Sequence, residues 1–166
     1  KATDNDGDID TGTITVCVQD DGPTAYDDLN CFNQADGCVD GNVITNAGQQ
    51  PGGADAVSED APTVVYEVTF NGTTVSVPYP GSATINGDYG QLVINSNGNY
   101  KYTLYNSNQT SNVQDVFTYG ICDGDQDVDH AQLTICTDVD GANGVSVSAT
   151  ILCVFEDGSV DIVVNA

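Results

Sequence analysis

Asp123-Gly-Asp-Gln-Asp-Val-Asp129, followed by His130 and Ala131-Gln-Leu-Thr-Ile-Cys136, joins an acidic loop to a strand-like run. Alternate side chains of an extended chain share a side, so the spacing predicts the carboxylates of Asp123, Asp125, Asp127 and Asp129 together. Such a row repels itself: two charges about 4 Å apart cost roughly 1 kcal/mol even in water. A cation among the oxygens relieves that repulsion, and so does dispersal of the charge by water and salt. The pattern recurs near the N-terminus. Asp4, Asp6, Asp8 and Asp10 match the four aspartates at a constant offset of 119, and Ile14-Thr-Val-Cys17 matches Leu133-Thr-Ile-Cys136. The match runs on to Asp21-Gly22 against Asp140-Gly141. Leu152-Cys-Val-Phe-Glu-Asp-Gly-Ser-Val-Asp-Ile162 aligns with Leu92-Val-Ile-Asn-Ser-Asn-Gly-Asn-Tyr-Lys-Tyr102 at an offset of 60. The chain therefore reads as tandem modules. Residues 1–22 carry the closing strand of a preceding module, 23–141 a complete β-sandwich, and 142–166 the opening hairpin of a next, incomplete one.

Period-2 alternation and turn punctuation run through the chain, with no helical pattern. Residues 13–19 predict a strand with Ile14, Val16 and Val18 on one face, stopped by the turn at Asp20-Asp-Gly-Pro23. Residues 24–62, rich in Ala, Asp, Gly and Asn, predict one short strand near Val43-Ile-Thr45. Further on, Val64, Tyr66, Val68 and Phe70 are expected on one face, with Asn71-Gly72 turning into Thr73–Val77. Gln91–Asn95 and Tyr100–Leu104 form a hairpin around Ser96-Asn-Gly98. Val116–Cys122, with Phe117, Tyr119 and Ile121 inward, enters the acidic loop, and Ala131–Thr137 leaves it. A last hairpin, Val145–Phe155 with Ser159–Val164, surrounds Glu156-Asp-Gly158. Short strands between turns predict an all-β sandwich.

Charge narrows the function. The net charge is −23, with Lys1 and Lys101 the only basic residues besides one histidine. Nucleic acid demands a basic face, and an anionic membrane surface repels this chain. No apolar run is long enough to predict a membrane-inserted helix, and no signal peptide is visible. Glu59, Glu67 and Glu156 are the only glutamates among 25 acids. Aspartate suits turns and tight oxygen cages for hard cations, whereas acidity for solubility alone would scatter glutamate too. Six cysteines, without a Cys-x-x-Cys pair, favour disulfides and an oxidising, extracellular setting.

Gln91-Leu-Val-Ile, Asn97-Gly-Asn-Tyr-Lys-Tyr102, Asp115-Val-Phe-Thr-Tyr119, Asp123-Gly-Asp and Asp20-Asp-Gly-Pro-Thr-Ala25 resemble a known family. They look like the tandem Ig-like or cadherin-like (VCBS-type) repeats of large bacterial extracellular RTX-type adhesins. The resemblance covers most of 1–25 and 88–141 and implies a sandwich, calcium at turns and joints, and a spacer or adhesive role without catalysis. The six cysteines depart from that family and favour a cross-linked fibre. Calcium takes six to eight oxygens, which Asp4, Asp6, Asp8, Asp10, Asp20 and Asp21 can supply at one end, and Asp123, Asp125, Asp127, Asp129, Asp138 and Asp140 at the other. The loops are not EF-hands, since twelve-residue frames from Asp4 and Asp123 end at Thr15 and Thr134.

Strand phase turns Cys17, Cys122, Cys136 and Cys153 away from the core, which predicts the pairs Cys31–Cys38, Cys122–Cys136 and, between chains, Cys17–Cys153. The incomplete modules predict that the donor strand bearing Ile14, Val16 and Val18 completes a neighbour by strand addition. Identical subunits joined head-to-tail in this way propagate as an extracellular filament. A calcium-stabilised spacer repeat of a surface adhesin is the alternative, as is a carbohydrate- or ice-binding module. For the latter, Tyr66, Tyr79, Tyr89, Tyr100, Tyr102 and Tyr105 offer stacking faces toward a surface glycan. Asn71-Gly-Thr73 and Asn108-Gln-Thr110 fit glycosylation sequons. His130, the only histidine, is expected at the surface, and no catalytic constellation emerges.

Overall fold

The computed structural model describes residues 2–3, 5–17, 21–49, 53–139, 148–154 and 160–165, the last two ranges as backbone. Thirteen strands are present among them, in chain order β1 (Ala2–Thr3), β2 (Ile9–Asp10), β3 (Asp28–Asn33), β4 (Cys38–Asn42), β5 (Val64–Phe70), β6 (Thr73–Ser76) and β7 (Ser82–Asn86). They continue with β8 (Gly90–Asn95), β9 (Asn99–Leu104), β10 (Gln114–Cys122), β11 (Val128–Asp138), β12 (Ser148–Val154) and β13 (Val160–Asn165). A single 3-10 turn at Gln34–Asp36 is the only helical element among the described residues. One sheet runs β3-β11-β10-β5-β6 and the other β4-β9-β8-β7. All ladders in these two sheets are antiparallel except β3 beside β11.

Alternation along each strand sends one row of side chains between the sheets. Val65, Val68, Phe117, Tyr119, Ile121, Leu133 and Ile135 from the first sheet meet Ile85, Leu92, Ile94, Tyr100 and Tyr102 from the second, all buried. Aromatic edges knit the middle, with Tyr102 against Phe117 at 6.2 Å and Phe32 against Tyr102 at 6.3 Å. Tyr100 and Tyr102 are therefore core residues rather than stacking faces, whereas Tyr79 and Tyr105 are exposed. The inward phase expected for Phe117, Tyr119 and Ile121 is the observed one.

The strand expected at 64–70 has a phase change that alternation alone hides. Its register against β10 slips between Gly120 and Ile121, leaving Tyr66 as the extra residue of a β-bulge. Val65 faces the core before it and Val68 after it, while Val64 and Tyr66 are only half-buried. Gly120 makes room, since a Cβ there would come within 2.6 Å of the Tyr66 ring. The turn after β5 matches its sequence signal: Asn71 and Gly72 both have positive φ, 47° and 77°, which suits a tight hairpin.

Two expectations in the N-terminal part fail. The short strand lies at Cys38–Asn42, ahead of Val43-Ile-Thr45, and β3 precedes it unforeseen. Val43 and Ile44 instead fill the core from a turn, with the Val43 N–H donating to the Gly98 carbonyl at 3.0 Å. Alternation over residues 13–19 predicts a strand, yet residues 11–17 belong to none. Ile14 and Val16 are 89% and 76% exposed because no described strand offers them a partner. Val18 lies outside the described residues.

The sequence repeats are also repeats of register. β1–β2 pairs Ala2 with Asp10 and Thr3 with Ile9. The same rungs at the tip of β10–β11 pair Ile121 with Asp129 and Cys122 with Val128. Gly7, at φ 96°, occupies the place of Gln126, at φ 83°. Near the turn of β12–β13, Cys153 pairs Asp161 and Val154 pairs Val160, as Val93 pairs Lys101 and Ile94 pairs Tyr100 in β8–β9.

Within the chain the cysteines pair differently from the expectation. Cys31 is bonded to Cys136, with their Cα atoms 4.5 Å apart. They are direct partners in the parallel β3–β11 ladder. Cys31 does not reach Cys38 because the 3-10 turn carries the chain from one sheet to the other between them. Nor does Cys122 reach Cys136: Cys122 faces Val128 at one end of β10–β11, and Cys136 faces Gln114 at the far end. Cys17, Cys38 and Cys122 are free thiols, and the Cys153 side chain lies outside the described residues.

Candidate metal centre

The loop between β10 and β11 gathers the first three aspartates of its row. One oxygen each from Asp123, Asp125 and Asp127 lies within 4.8 Å of the others. The gathering has a local cause. The Asp127 N–H donates to Asp123 Oδ1 at 2.9 Å and the Asp123 N–H to the Asp127 carbonyl at 3.1 Å, closing a tight turn. Gln126 takes the left-handed conformation that turn requires, so alternation gives way to convergence.

Asp123 is anchored and buried, while Asp125 and Asp127 are exposed. Ser58 Oγ donates to Asp123 Oδ2 at 2.8 Å, and the Gly124 N–H donates to the Asp60 carbonyl at 2.7 Å. A side chain at Gly124 would press on the Ala61 and Asp60 carbonyls, at 2.8 and 3.0 Å. Burial acts to raise the Asp123 pKa, but bonds from Ser58, from the Asp125 carboxyl and from the Asp127 and Asp125 N–H groups outweigh it. The net direction is down, so the carboxyl is held charged.

The joint before the module abuts this loop. A Cβ at Gly22 would stand 3.2 Å from Asp127 Cβ, and Asp21 Oδ2 accepts from the Glu59 N–H at 3.5 Å. The Asp21-Gly22 joint is thus a spatial neighbour of the trio, far from it in the chain. Asp129 stands apart from the trio: Oδ2 accepts from the Ala25 N–H and Oδ1 from the His130 N–H, each at 2.9 Å. Val128 has already begun the strand, which turns the next carboxylate toward residue 25.

Asp138 is remote, because it ends the eleven-residue β11 that starts at the loop. It accepts from Asn112 Nδ2 at 2.8 Å. Asp6 and Asp8 sit exposed in the turn of β1–β2 and are engaged there. The Asp10 side chain lies outside the described residues, as do Asp4, Asp20 and Asp140 altogether. Ser58 and the Asp60 carbonyl carried no sequence signal as supports, since residues 58–61 reach the loop only through the fold. His130 is at the surface, with Nε2 2.8 Å from the Tyr66 hydroxyl and 3.1 Å from Glu67 Oε1.

Three carboxylates, one of them preset in its charged form, offer hard oxygen donors only, which suits calcium or magnesium rather than zinc or copper. No helix among the described residues is long and apolar enough to cross a membrane. No protein-family model matches the sequence. The chain is 32% identical over 143 residues to the calcium-binding lectin RapA2 of Rhizobium johnstonii, an alignment covering 81% of this chain. It spans 56% of that protein, about half the length of the curated relative it matches.

Proposed function

We propose that this chain is a non-catalytic, calcium-stabilised module of an extracellular bacterial adhesin. The convergence of Asp123, Asp125 and Asp127 beside the Asp21-Gly22 joint carries the reading. Similarity to a calcium-binding lectin supports it from outside the site. Calcium bound there ties the loop to the joint and relieves the repulsion of the aspartate row. Extracellular modules bind calcium at roughly 10⁻⁴–10⁻³ M, so millimolar calcium adds about 1 kcal/mol per site. A chelator should therefore lower the melting temperature of the parent, and Asp125→Asn/Asp127→Asn should reduce that difference by the share the loop contributes. An unchanged melt would refute structural calcium at the loop.

For the lectin aspect, an open cleft of about 450 Å³ between the sheet edges β6 and β7 is the candidate glycan groove. Phe70 offers an apolar face there, and Asn71, Asn86 and Asp88 offer polar groups. Glycan-array binding that Asp88→Ala abolishes would support it, and an array without hits would count against it.

A second reading, the filament, is favoured by the repeated registers of β1–β2 and β12–β13. Residues 13–19, with Ile14 and Val16 exposed, would complete the sheet of an identical neighbour head-to-tail. Native mass spectrometry separates the two: a ladder of oligomers favours the filament, and a monodisperse 17.2 kDa monomer removes it.

A further inference from the structure

A second acidic group lies inside the sandwich. Asp28, the first residue of β3, is 2% exposed, and both its carboxylate oxygens are buried without a hydrogen-bond partner. Asp55, 7% exposed, lies close enough to Asp28 for the two charges to act on each other. The Tyr119 hydroxyl reaches both acids but brings a single proton. Its acceptors of good geometry are the Tyr26 carbonyl at 2.9 Å and the Asp55 oxygens at 3.1 and 3.2 Å. Gln49 also lies beside Asp28; one of its two amide N–H groups donates to the Asn42 carbonyl at 2.7 Å, and the other is directed toward Asp28 without closing a bond of good geometry. The Gln49 Oε1 is buried and unpartnered as well.

Orphaned oxygens in the interior are costly, and a bare carboxylate most of all. The two Asp28 oxygens, with the Gln49 Oε1 on a neighbouring side chain, are explained together by a positive centre. We propose that Asp28, Asp55 and the Gln49 amide oxygen hold a second divalent cation, calcium in class, independent of the Asp123 loop. The donors are all oxygens, which excludes the softer metals that prefer nitrogen or sulfur. An ion there joins segments that are far apart in the chain: the start of β3, the loop after β4, the stretch around Asp55 and, beside it, β10. The stretch around Asp55 is held to the sandwich by the backbone pairing of Thr24 with Ala56 and by the Asp55 N–H on the Ile44 carbonyl at 2.9 Å. The site goes beyond the proposed function, for it needs neither the joint nor a neighbouring module.

The test counts calcium on the full chain by titration calorimetry with calcium chloride. Asp28→Asn should lose one bound calcium per chain, or weaken that site at least tenfold. Asp125→Asn/Asp127→Asn should keep it and lose the loop site instead, so the two readings can fail separately. Equal calcium number and affinity in Asp28→Asn and parent would overturn the proposal. Terbium supplies a readout that does not depend on how Asp28→Asn folds. The chain has no tryptophan, and Tyr119 borders the proposed ion, so terbium emission excited through tyrosine should persist in the loop double variant. A dark, folded double variant would overturn the site, leaving the two acids to share protons instead.

Discussion

Asp115 is the charge on which one edge of the core hangs. It is 2% exposed, and its two oxygens accept the N–H groups of Asp88, Tyr89 and Gly90 at 3.0 to 3.2 Å and the Tyr102 hydroxyl at 2.6 Å. Burial, with the Asp115 charge beside it, raises the Tyr102 pKa and keeps that hydroxyl a donor. Gly87 lets the loop close over the carboxylate, because a Cβ there would collide with Asp115 Oδ2. Asp115→Ala strands these donors in the interior and should cost about 3 kcal/mol in urea denaturation. Asp28 and Asp55 behave in the opposite sense. Burial is the largest cause in each, raising Asp28 from 3.8 to about 7 and Asp55 from 3.8 to about 6. Without metal, the folded chain keeps protons there that the unfolded chain gives up near pH 4. Their contribution is thus fully present below about pH 4 and is lost as pH rises toward 7. Each tenfold difference in proton affinity between the folded and unfolded chain is worth about 1.4 kcal/mol. In chelator, the urea midpoint should fall across that window more steeply in the parent than in Asp28→Asn. Equal slopes would show that Asp28 does not titrate as its burial dictates.

The pairing of β3 with β11 decides how the elements are fastened. It is the one parallel ladder among the described residues, and its Cys31–Cys136 bond closes a loop with a sequence separation of 105. Parallel neighbours require a long crossover, here nearly the whole module. A loop of that length gives a cross-link worth about 5 kcal/mol in the chain-entropy account. Cys31→Ser/Cys136→Ser should lower unfolding stability by roughly 2–5 kcal/mol. Peptide mapping without reductant should recover the Cys31–Cys136 pair, with Cys38 and Cys122 alkylated as thiols. A Cys122–Cys136 peptide would contradict the observed register. The β5 bulge acts on the same scale, since one extra residue at Tyr66 exchanges which side chains of a strand enter the core.

At the scale of the molecule, a net charge of −23 opposes compaction. Salt screens exposed charges over about 10 Å at 0.1 M. In chelator, raising sodium chloride from about 10 mM to 0.5 M should raise the melting temperature, and millimolar calcium should do more at far lower ionic strength. A melt indifferent to both would mean that the aspartates are too dispersed to repel. The opposite placement of the Asp123 loop and Asp138 along β11 gives the module two distinct ends. An array of such modules would then join the tail of one to the acidic loop of the next.

The sequence by itself determined the β class, the hairpins at Asn71-Gly72 and Ser96-Asn-Gly98, the inward face of β10 and the 119-residue repeat. These are local signals: period-2 alternation, residues that tolerate positive φ, and identical spacings. It also placed three of the aspartates that converge, because a short loop between paired strands leaves them little choice. Only the tertiary structure decided the partner of Cys31, the bulge at Tyr66, the separation of Asp129 from the trio, and the burial of Asp28 beside Asp55. Each depends on which strand lies next to which, and strands distant in the chain become neighbours through the packing of two sheets, for which no local spacing carries a signal.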